Sequence, residues 1–395
     1  MTEKDVGESR YKYKRLTKRN DCPQIVIGMV FDRYGFELTH KIFEGNQTDS
    51  KTLVHMIKSL QDQLDSNLLS EKPLVIVDAG VATKKNLKLL SKNNFDYLVN
   101  DSRRSRSKYS EEFANEKDFK CISDRDPQKP VLVKRIEDPL WTNKTGIKKP
   151  DTLVLCKSAG RQDKEYAIYS SVEKKFLIAL EKLKKRIDTG KLKADDKIQH
   201  AIGRLKERYS RVARFYTITF LNSNNTGSGF SWSRDDDKYN ETESLFGCYV
   251  LRCCRDNLCA EDLWRLYITL TKAEDGFRCL KSRLGLRPNF HQRENRVDGH
   301  VFITVLAYHL HQYIMHQLHE QGDHRNWHTI RCILQTHVIS TTIVPTIKGQ
   351  LYRIRKAGIP DASQNAIYKM LKVDLKGLPV SKTMVDPYCK KTTTL

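Results

Sequence analysis

The chain has no Cys-x-x-Cys pair, no apolar run long enough to cross a bilayer and no apolar core behind its first methionine. Its ten cysteines stand singly apart from Cys253, Cys254 and Cys259, and their spacing fits no zinc site. Reduced thiols in a cytosolic setting are the expectation. The residues after Met1, TEKDVGESRYKYKRLTKRN, lack the apolar segment of a signal peptide. The longest apolar stretches, such as VFITVLAYHL (Val301–Leu310), fall short of a membrane span. No internal repeat is found. These absences exclude a disulfide scaffold, a zinc ribbon and a membrane-spanning chain, and they predict a soluble intracellular protein.

What is present in excess is positive charge. Lys and Arg number 70 against 48 Asp and Glu, a net +22, spread along the chain and not gathered in a tail. The pI is about 9.5. A polyanionic partner follows, with DNA or RNA ahead of a membrane surface; the plainer alternative is a set of basic solvated faces. At 395 residues the chain is too long for one ordinary core, so two or three domains are expected.

Local patterns predict an α/β start. QIVIGMVFDRYGFELTHKIFE (residues 24–44) places two β-rich runs around a turn-forming DRYG, which reads as a hairpin. A helix from Ser50 carries Leu53, Ile57, Leu60 and Leu64 at helical spacing. LVIV is the continuous apolar run of a strand buried on both faces, and a helix over Ala82–Ser91 and a strand at DYLVN (Asp96–Asn100) follow. From Ser102 the chain turns polar, as at a boundary loop. PVLVKRI, TLVLCKS and KEYAIYSS then read as short strands. Two basic amphipathic helices come next, one on Val172, Phe176, Leu180, Leu183 and Ile187, the other on Ile198, Ile202, Leu205, Tyr209 and Val212. FYTITFL and FGCYVLRCC complete what reads as an inserted domain. Beyond Glu261 the chain reads as helical, with a core stripe of Leu266, Leu270, Ala273, Phe277, Leu280 and Leu284. Tyr267, Glu274 and Lys281 form a second stripe about 60° round the same helix.

Two carboxylates stand out. Asp78 follows LVIV and precedes a helix, so it is either the cap of that helix or a ligand-binding acid at a strand's carboxyl end, where open α/β sheets bind ligands. Glu274, at the edge of a buried helical face, is either solvated or reaches into a site. Cutting a phosphodiester with divalent ions requires several convergent carboxylates, because Mg²⁺ favours hard oxygen ligands.

The spacing Y-x6-E-x6-K at Tyr267, Glu274 and Lys281, followed by RPNFH (Arg287–His291), resembles the carboxyl-terminal signature of DDE-type insertion-sequence transposases. PQIVIGMVFDRYGFEL, EGNQTDSKTL, LVIVDAGVATKKNLKLL, IGRLKERY and FGCYVLR fall in the order that family shows, over roughly residues 15–320. The resemblance implies an α/β, RNase H-like mixed sheet interrupted by a mixed β/helical insertion domain, then a helical tail. The expected divisions are 1–102 for the first half of the core, 103–260 for the insertion, 261–320 for its closing helices and 321–395 for the tail. It further implies that Asp78 and Glu274, 196 positions apart, are the second and third acids of a catalytic triad binding Mg²⁺ or Mn²⁺. The activity implied is cleavage and strand transfer of double-stranded DNA, at transposon terminal repeats and a target, by a homodimer in a cytoplasmic, nucleoid-associated setting. Tyr267 and Lys281 would hold the transposon end. Apart from the resemblance, Arg278, Arg103 and Arg104 are candidates for the DNA backbone, the segment with Arg103 and Arg104 reading otherwise as a solvated loop. Trp232 is a base-stacking candidate, or a core tryptophan.

Two positions depart from the family pattern. Leu270 stands where the signature has arginine. No apolar strand ending in Asp precedes the hairpin, so the expectation is a chain truncated before its first catalytic strand, with a catalytically dead DNA-binding remnant or inhibitor as the alternative function. Asp32 is excluded as a substitute because the hairpin turn lies about 26 Å from the Asp78 end of such a sheet. Asp5 and Asp21 lack the strand context. A metal site among His309, His311, His316 and His319 lacks acidic or Cys partners at zinc spacing, and Asp235–Asp237 reads as a solvated loop.

Overall fold

TLVLCKS is apolar at successive positions because both of its faces are covered. In the computed structural model, Leu153 and Leu155 join Tyr109, Phe113, Leu245 and Val250 on one face of a sheet. Val154 and Cys156 join Leu98, Leu251, Leu263 and Trp264 on the other. A strand buried twice cannot alternate apolar with polar residues.

The structure describes residues 25–45, 47–63, 72–123, 128–137, 151–221, 229–347, 350–375 and 380–385. Asp5, Asp21 and Leu64 lie outside them. In chain order the elements begin with β1 (Ile25–Phe31), β2 (Glu37–Glu44), α1 (Asp49–Gln63), β3 (Leu74–Val77), α2 (Lys84–Lys92) and β4 (Asp96–Asn100). A 3-10 turn at Ser105–Tyr109 leads to α3 (Ser110–Ala114), β5 (Lys120–Ile122), β6 (Val131–Glu137) and β7 (Thr152–Ser158). Then come α4 (Ala159–Asp188), α5 (Asp195–Arg208), α6 (Ser210–Ala213), β8 (Tyr216–Leu221), β9 (Gly229–Arg234), α7 (Asp236–Glu243) and β10 (Cys248–Cys253). The last part holds α8 (Ala260–Ile268), α9 (Leu270–Ser282), α10 (Glu294–Glu320), α11 (Trp327–Leu334), β11 (Ile339–Pro345), β12 (Leu351–Ala357), α12 (Ala362–Met370) and β13 (Val380–Val385). Among the described residues no helix is long and apolar enough to cross a membrane.

These residues form two compact units. The larger spans Phe43–Thr271 with residues 25–28; the smaller comprises Met29–Ile42 and everything from Lys272. The larger unit is built on a six-stranded mixed sheet in the order β3-β4-β10-β7-β6-β5. β3 and β4 run parallel, and every other neighbouring pair is antiparallel. The β-rich pieces of the middle segment therefore extend the same sheet as β3 and β4. Residues between β7 and β10 build a second core, in which Phe176, Leu180 and Leu183 of α4 meet Ile198 and Ile202 of α5 and Phe230 of β9. KEYAIYSS lies inside α4, not in a strand: Ser158 caps that helix by accepting a hydrogen bond from the Arg161 amide, and helical propagation carries through the aromatic and β-branched residues. Gly247, at φ +77°, returns the chain into β10, and a Cβ there would stand 2.5 Å from the Ser158 carbonyl oxygen. Only glycine fits both constraints.

The helix expected to run unbroken from Glu261 is two helices. Thr269 and Thr271 turn their hydroxyls back onto the carbonyls of Leu266 and Ile268, a competition with the helical ladder that bends the chain. In the smaller unit, Tyr308 of α10 donates to the Gly35 carbonyl and Gln312 to that of Tyr34, and Phe31 packs edge-on against Phe277 and Tyr308. Leu318, Ile330 and Ile367 join α10, α11 and α12 in a small core. The tail holds, besides its helices, an antiparallel sheet in the order β11-β12-β13.

Candidate active site

β3 ends at Val77, and the chain turns at once. The Asp78 carbonyl accepts from the amides of Val81 at 3.0 Å and Ala82 at 3.2 Å, while its carboxylate Oδ1 accepts from the Ala79 amide at 2.8 Å. The side chain is exposed. Capping of α2 falls to Thr83, whose hydroxyl accepts from the Asn86 amide at 3.2 Å. Buried Asn86 donates back to the Val81 carbonyl at 2.8 Å, fixing the turn from below. Asp78 is thus an acid at a strand's carboxyl end that the helix does not require.

Three acids at the ends of strands of the sheet are ion-paired. Arg252 bridges Asp101 and Asp151, each at 3.2 Å, Tyr97 also donates to Asp151, and Arg255 holds Asp96 at 2.7 Å. Burial, followed by the charge of Asp151, raises the Tyr97 phenol above its ordinary value. Sequence reasoning missed these pairs, since their members lie far apart along the chain.

The register that pairs Val77 with Val99 makes Asp78 and Asn100 the next residues at the same ends of parallel strands. Asn100 Nδ2 donates to the Tyr267 hydroxyl at 3.1 Å, and Asn100 Oδ1 is buried without a hydrogen-bond partner. Arg161 lies 3.9 Å over the Tyr249 ring, whose hydroxyl accepts from Trp264 Nε1 at 2.8 Å. Tyr267 is only 6% exposed. Its hydroxyl thus anchors a polar seam inside the protein.

Glu274 lies on α9 in the smaller unit and is exposed. The same helix carries Arg278, ion-paired with Asp275 at 2.8 Å, and Lys281, whose ammonium lies 5.0 Å over the Phe277 ring. Leu270 packs against the core of the larger unit's sheet. Arg103 pairs with Glu165 at 3.0 Å, and Arg104 is exposed. Arg106, two residues on, is buried, bonding Glu165 and the Cys248 carbonyl. Trp232 is half-buried on β9, 5.7 Å from the Phe230 ring and 5.8 Å from the Lys184 ammonium.

The remaining candidates have structural roles. Asp32 Oδ1 accepts from the Tyr34 and Phe36 amides and closes the hairpin turn. Asp235 caps α7, and Asp236 pairs with Arg234. His309 bonds Glu37 at 2.9 Å. Burial, with the Arg283 charge behind it, pulls His311 down to about 4. Among the described residues no group of three or more His, Cys, Asp or Glu is arranged to hold a metal ion. Asp78 in the larger unit and Glu274 in the smaller are both exposed hard-oxygen donors. Of the four oxygens only Asp78 Oδ1 has a hydrogen-bond donor among the described residues. The donor chemistry of each carboxylate suits a hard cation.

Open α/β sheets bind their ligands outside the carboxyl ends of parallel strands, and Asp78 stands at one such end. Residues 4–310 match the family described as the transposase DDE domain. That span is most of the chain, and the chain belongs to this family. Its architecture is consistent with the RNase H-like fold of such transposases, and its general function is transposition, with the divalent metal dependence and DNA substrate that the family implies. A comparison with curated proteins returned no match.

Proposed function

We propose that the chain binds transposon ends and catalyses metal-dependent cleavage and strand transfer of duplex DNA, with Asp78 and Glu274 as its catalytic acids. The observation that carries this is the exposed Asp78 carboxylate, released from helix capping by Thr83 and free of the arginines that neutralise Asp96, Asp101 and Asp151. It sits within a span that matches the transposase DDE domain. A divalent ion, when bound, would polarise the scissile phosphate and ease deprotonation of an attacking water. The Ala79 amide holds Asp78 Oδ1, which gives the carboxylate a preferred orientation, and Asp78 and Glu274 would hold such an ion. Lys281 and Arg278 beside Glu274, and Arg103 and Arg104, would set the DNA backbone in register. Trp232 is proposed to stack on an unpaired base.

The test is cleavage of a labelled duplex carrying the inverted repeats that flank the gene, with Mg²⁺ or Mn²⁺. Asp78→Asn and Glu274→Gln are expected to lower the rate by on the order of 10²-fold or more, as loss of a transition-state-stabilising group does, with duplex binding retained. Cleavage by Asp78→Asn at the wild-type rate would remove Asp78 from the reaction. Binding without any metal-dependent cleavage by the wild-type chain would leave a DNA-binding protein, and the catalytic half of the proposal would fall.

A further inference from the structure

The sheet β11-β12-β13 follows the family-matched span, which ends at residue 310, and both of its faces are open. Ile343 is 58% exposed on one face, and its neighbour Val344 is 45% exposed on the other. A sheet that buries neither face contributes little to a core, so its surface is available to a partner. It is nonetheless anchored at one end: His337, just before β11, bonds the Gly358 carbonyl at 3.0 Å and the Tyr368 hydroxyl of α12 at 2.7 Å.

The register sorts the side chains. Thr341 and Ser381 stand opposite Arg355 from the two outer strands, and Ile343 and Thr383 stand opposite Arg353. Directly paired residues share a face, as do alternate residues of one strand. Arg353 and Arg355 therefore stand on one face of the central strand, about 6.8 Å apart, flanked by three hydroxyls. Both arginines are exposed, and among the described residues neither has an ion-pair partner. The three strands contain four basic residues and no acid. After residue 310 the chain has twelve Lys and Arg against five Asp and Glu. Lys356 and Lys382, the other two basic residues of the sheet, stand on the opposite face among Tyr352, Ile354 and Met384.

We propose that the Arg353–Arg355 face of this sheet docks on the sugar-phosphate backbone of duplex DNA, as a non-specific contact separate from the candidate active site. It rests on the reading of the chain as a DNA-acting transposase and adds a surface to it. The chemistry is that of backbone positioning: guanidiniums on phosphates, with threonine and serine hydroxyls donating alongside, and no group placed to read a base edge. Arginine suits this contact better than lysine because its planar fork grips a phosphate with two donors.

The test uses the full chain and a short fluorescent duplex of arbitrary sequence, with affinity measured across a salt series. Each phosphate contact contributes about 0.9 to the slope of log affinity against log salt. R353A/R355A is therefore expected to make the slope shallower by about 1.8, equally for unrelated sequences. R353Q/R355Q, which keeps most of each stem, serves if the alanine pair unfolds. K356A/K382A removes the same charge from the opposite face and is expected to change the slope by less than half as much. Equal changes in the two pairs, or no change in the arginine pair, would overturn the proposal. Tighter binding of single-stranded RNA than of duplex, lost in R353A/R355A, would overturn the choice of occupant. Since the readout is non-specific binding, its failure beside intact cleavage would leave the catalytic reading standing.

Discussion

Removing a single oxygen from Tyr267 separates two roles for that residue. Its hydroxyl accepts from Asn100 Nδ2 at 3.1 Å, on a side chain 6% exposed. Tyr267→Phe keeps the ring in its apolar cluster beside Leu263 and Trp264 but deprives the Asn100 amide of its acceptor. Asn100 already lacks a partner for Oδ1, so its amide would lose its side-chain partner on the other atom too. Leaving a buried donor unsatisfied costs about 1–3 kcal/mol. For a folding unit of this size each kcal/mol lowers the melting temperature by about 2–4 °C, so the midpoint for a 2 kcal/mol loss should fall by about 4–8 °C. Thermal and urea unfolding of the full chain measure this, beside fluorescence anisotropy on duplex DNA. A cycle with Asn100→Ala should show coupling of about 0.5 kcal/mol or more, since the two side chains touch. An unchanged melting temperature with a tenfold loss of affinity for the inverted-repeat duplex would refute the argument and return Tyr267 to the DNA.

Further predictions concern the cap and the acid limb of stability. Thr83→Ala should cost about 1 kcal/mol by removing the cap of α2, while Asp78→Asn should stay within about 0.5 kcal/mol of wild type; the reverse ranking in urea titrations would make Asp78 the cap. Glu37 is buried, which by itself would raise its pKa, yet the hydrogen bonds and charges of His40 and His309 prevail and hold the carboxyl below its ordinary value of about 4.5. A carboxyl with a lowered folded pKa stabilises the fold above its unfolded value, and that contribution is lost as pH falls from about 4.5 through the folded value. Glu37→Gln should therefore flatten the stability-versus-pH curve below about pH 4.5, and identical acid limbs for the two proteins would contradict the pairing.

Much of the larger unit was legible because its determinants are local. LVIV and TLVLCKS are strands by composition alone, but only TLVLCKS is buried on both faces, LVIV being half-buried at the edge of the sheet; α4 and α5 follow from apolar spacing, with Phe176, Leu180, Ile198 and Ile202 all buried. Asp78 was legible by position, but its choice between cap and free acid depended on Thr83, a competition over a single hydrogen bond. The seam around Tyr267 was not legible. Helical periodicity placed Leu266 and Leu270 on the buried stripe and Tyr267 off it, whereas the break at Thr269 separates α8 from α9 and lets Tyr267 face the sheet. KEYAIYSS misled because tyrosine and isoleucine favour strands, while the cap that starts its helix lies earlier, at Ser158. The sheet in the tail had a local signal, the β-branched ISTTIVP, overshadowed by the helices around it. Pairs such as Arg252 with Asp101 and Asp151 leave no pattern, since ion pairing follows from topology and not from spacing.

The place of β10 in the central sheet sets a timetable for synthesis. β10 lies between β4 and β7, and its register joins Leu251 to Asn100 across 151 positions of chain. When β3 and β4 leave the ribosome, the strand that must flank β4 has not been made. At about 5–20 residues per second the wait is roughly 8–30 s. For that interval the strand next to Asp78 has an open edge rich in apolar residues, the condition under which strands pair with the wrong partner. The nascent protein is therefore most exposed to aggregation during its middle third, and a slower ribosome over residues 101–253 would lengthen the danger.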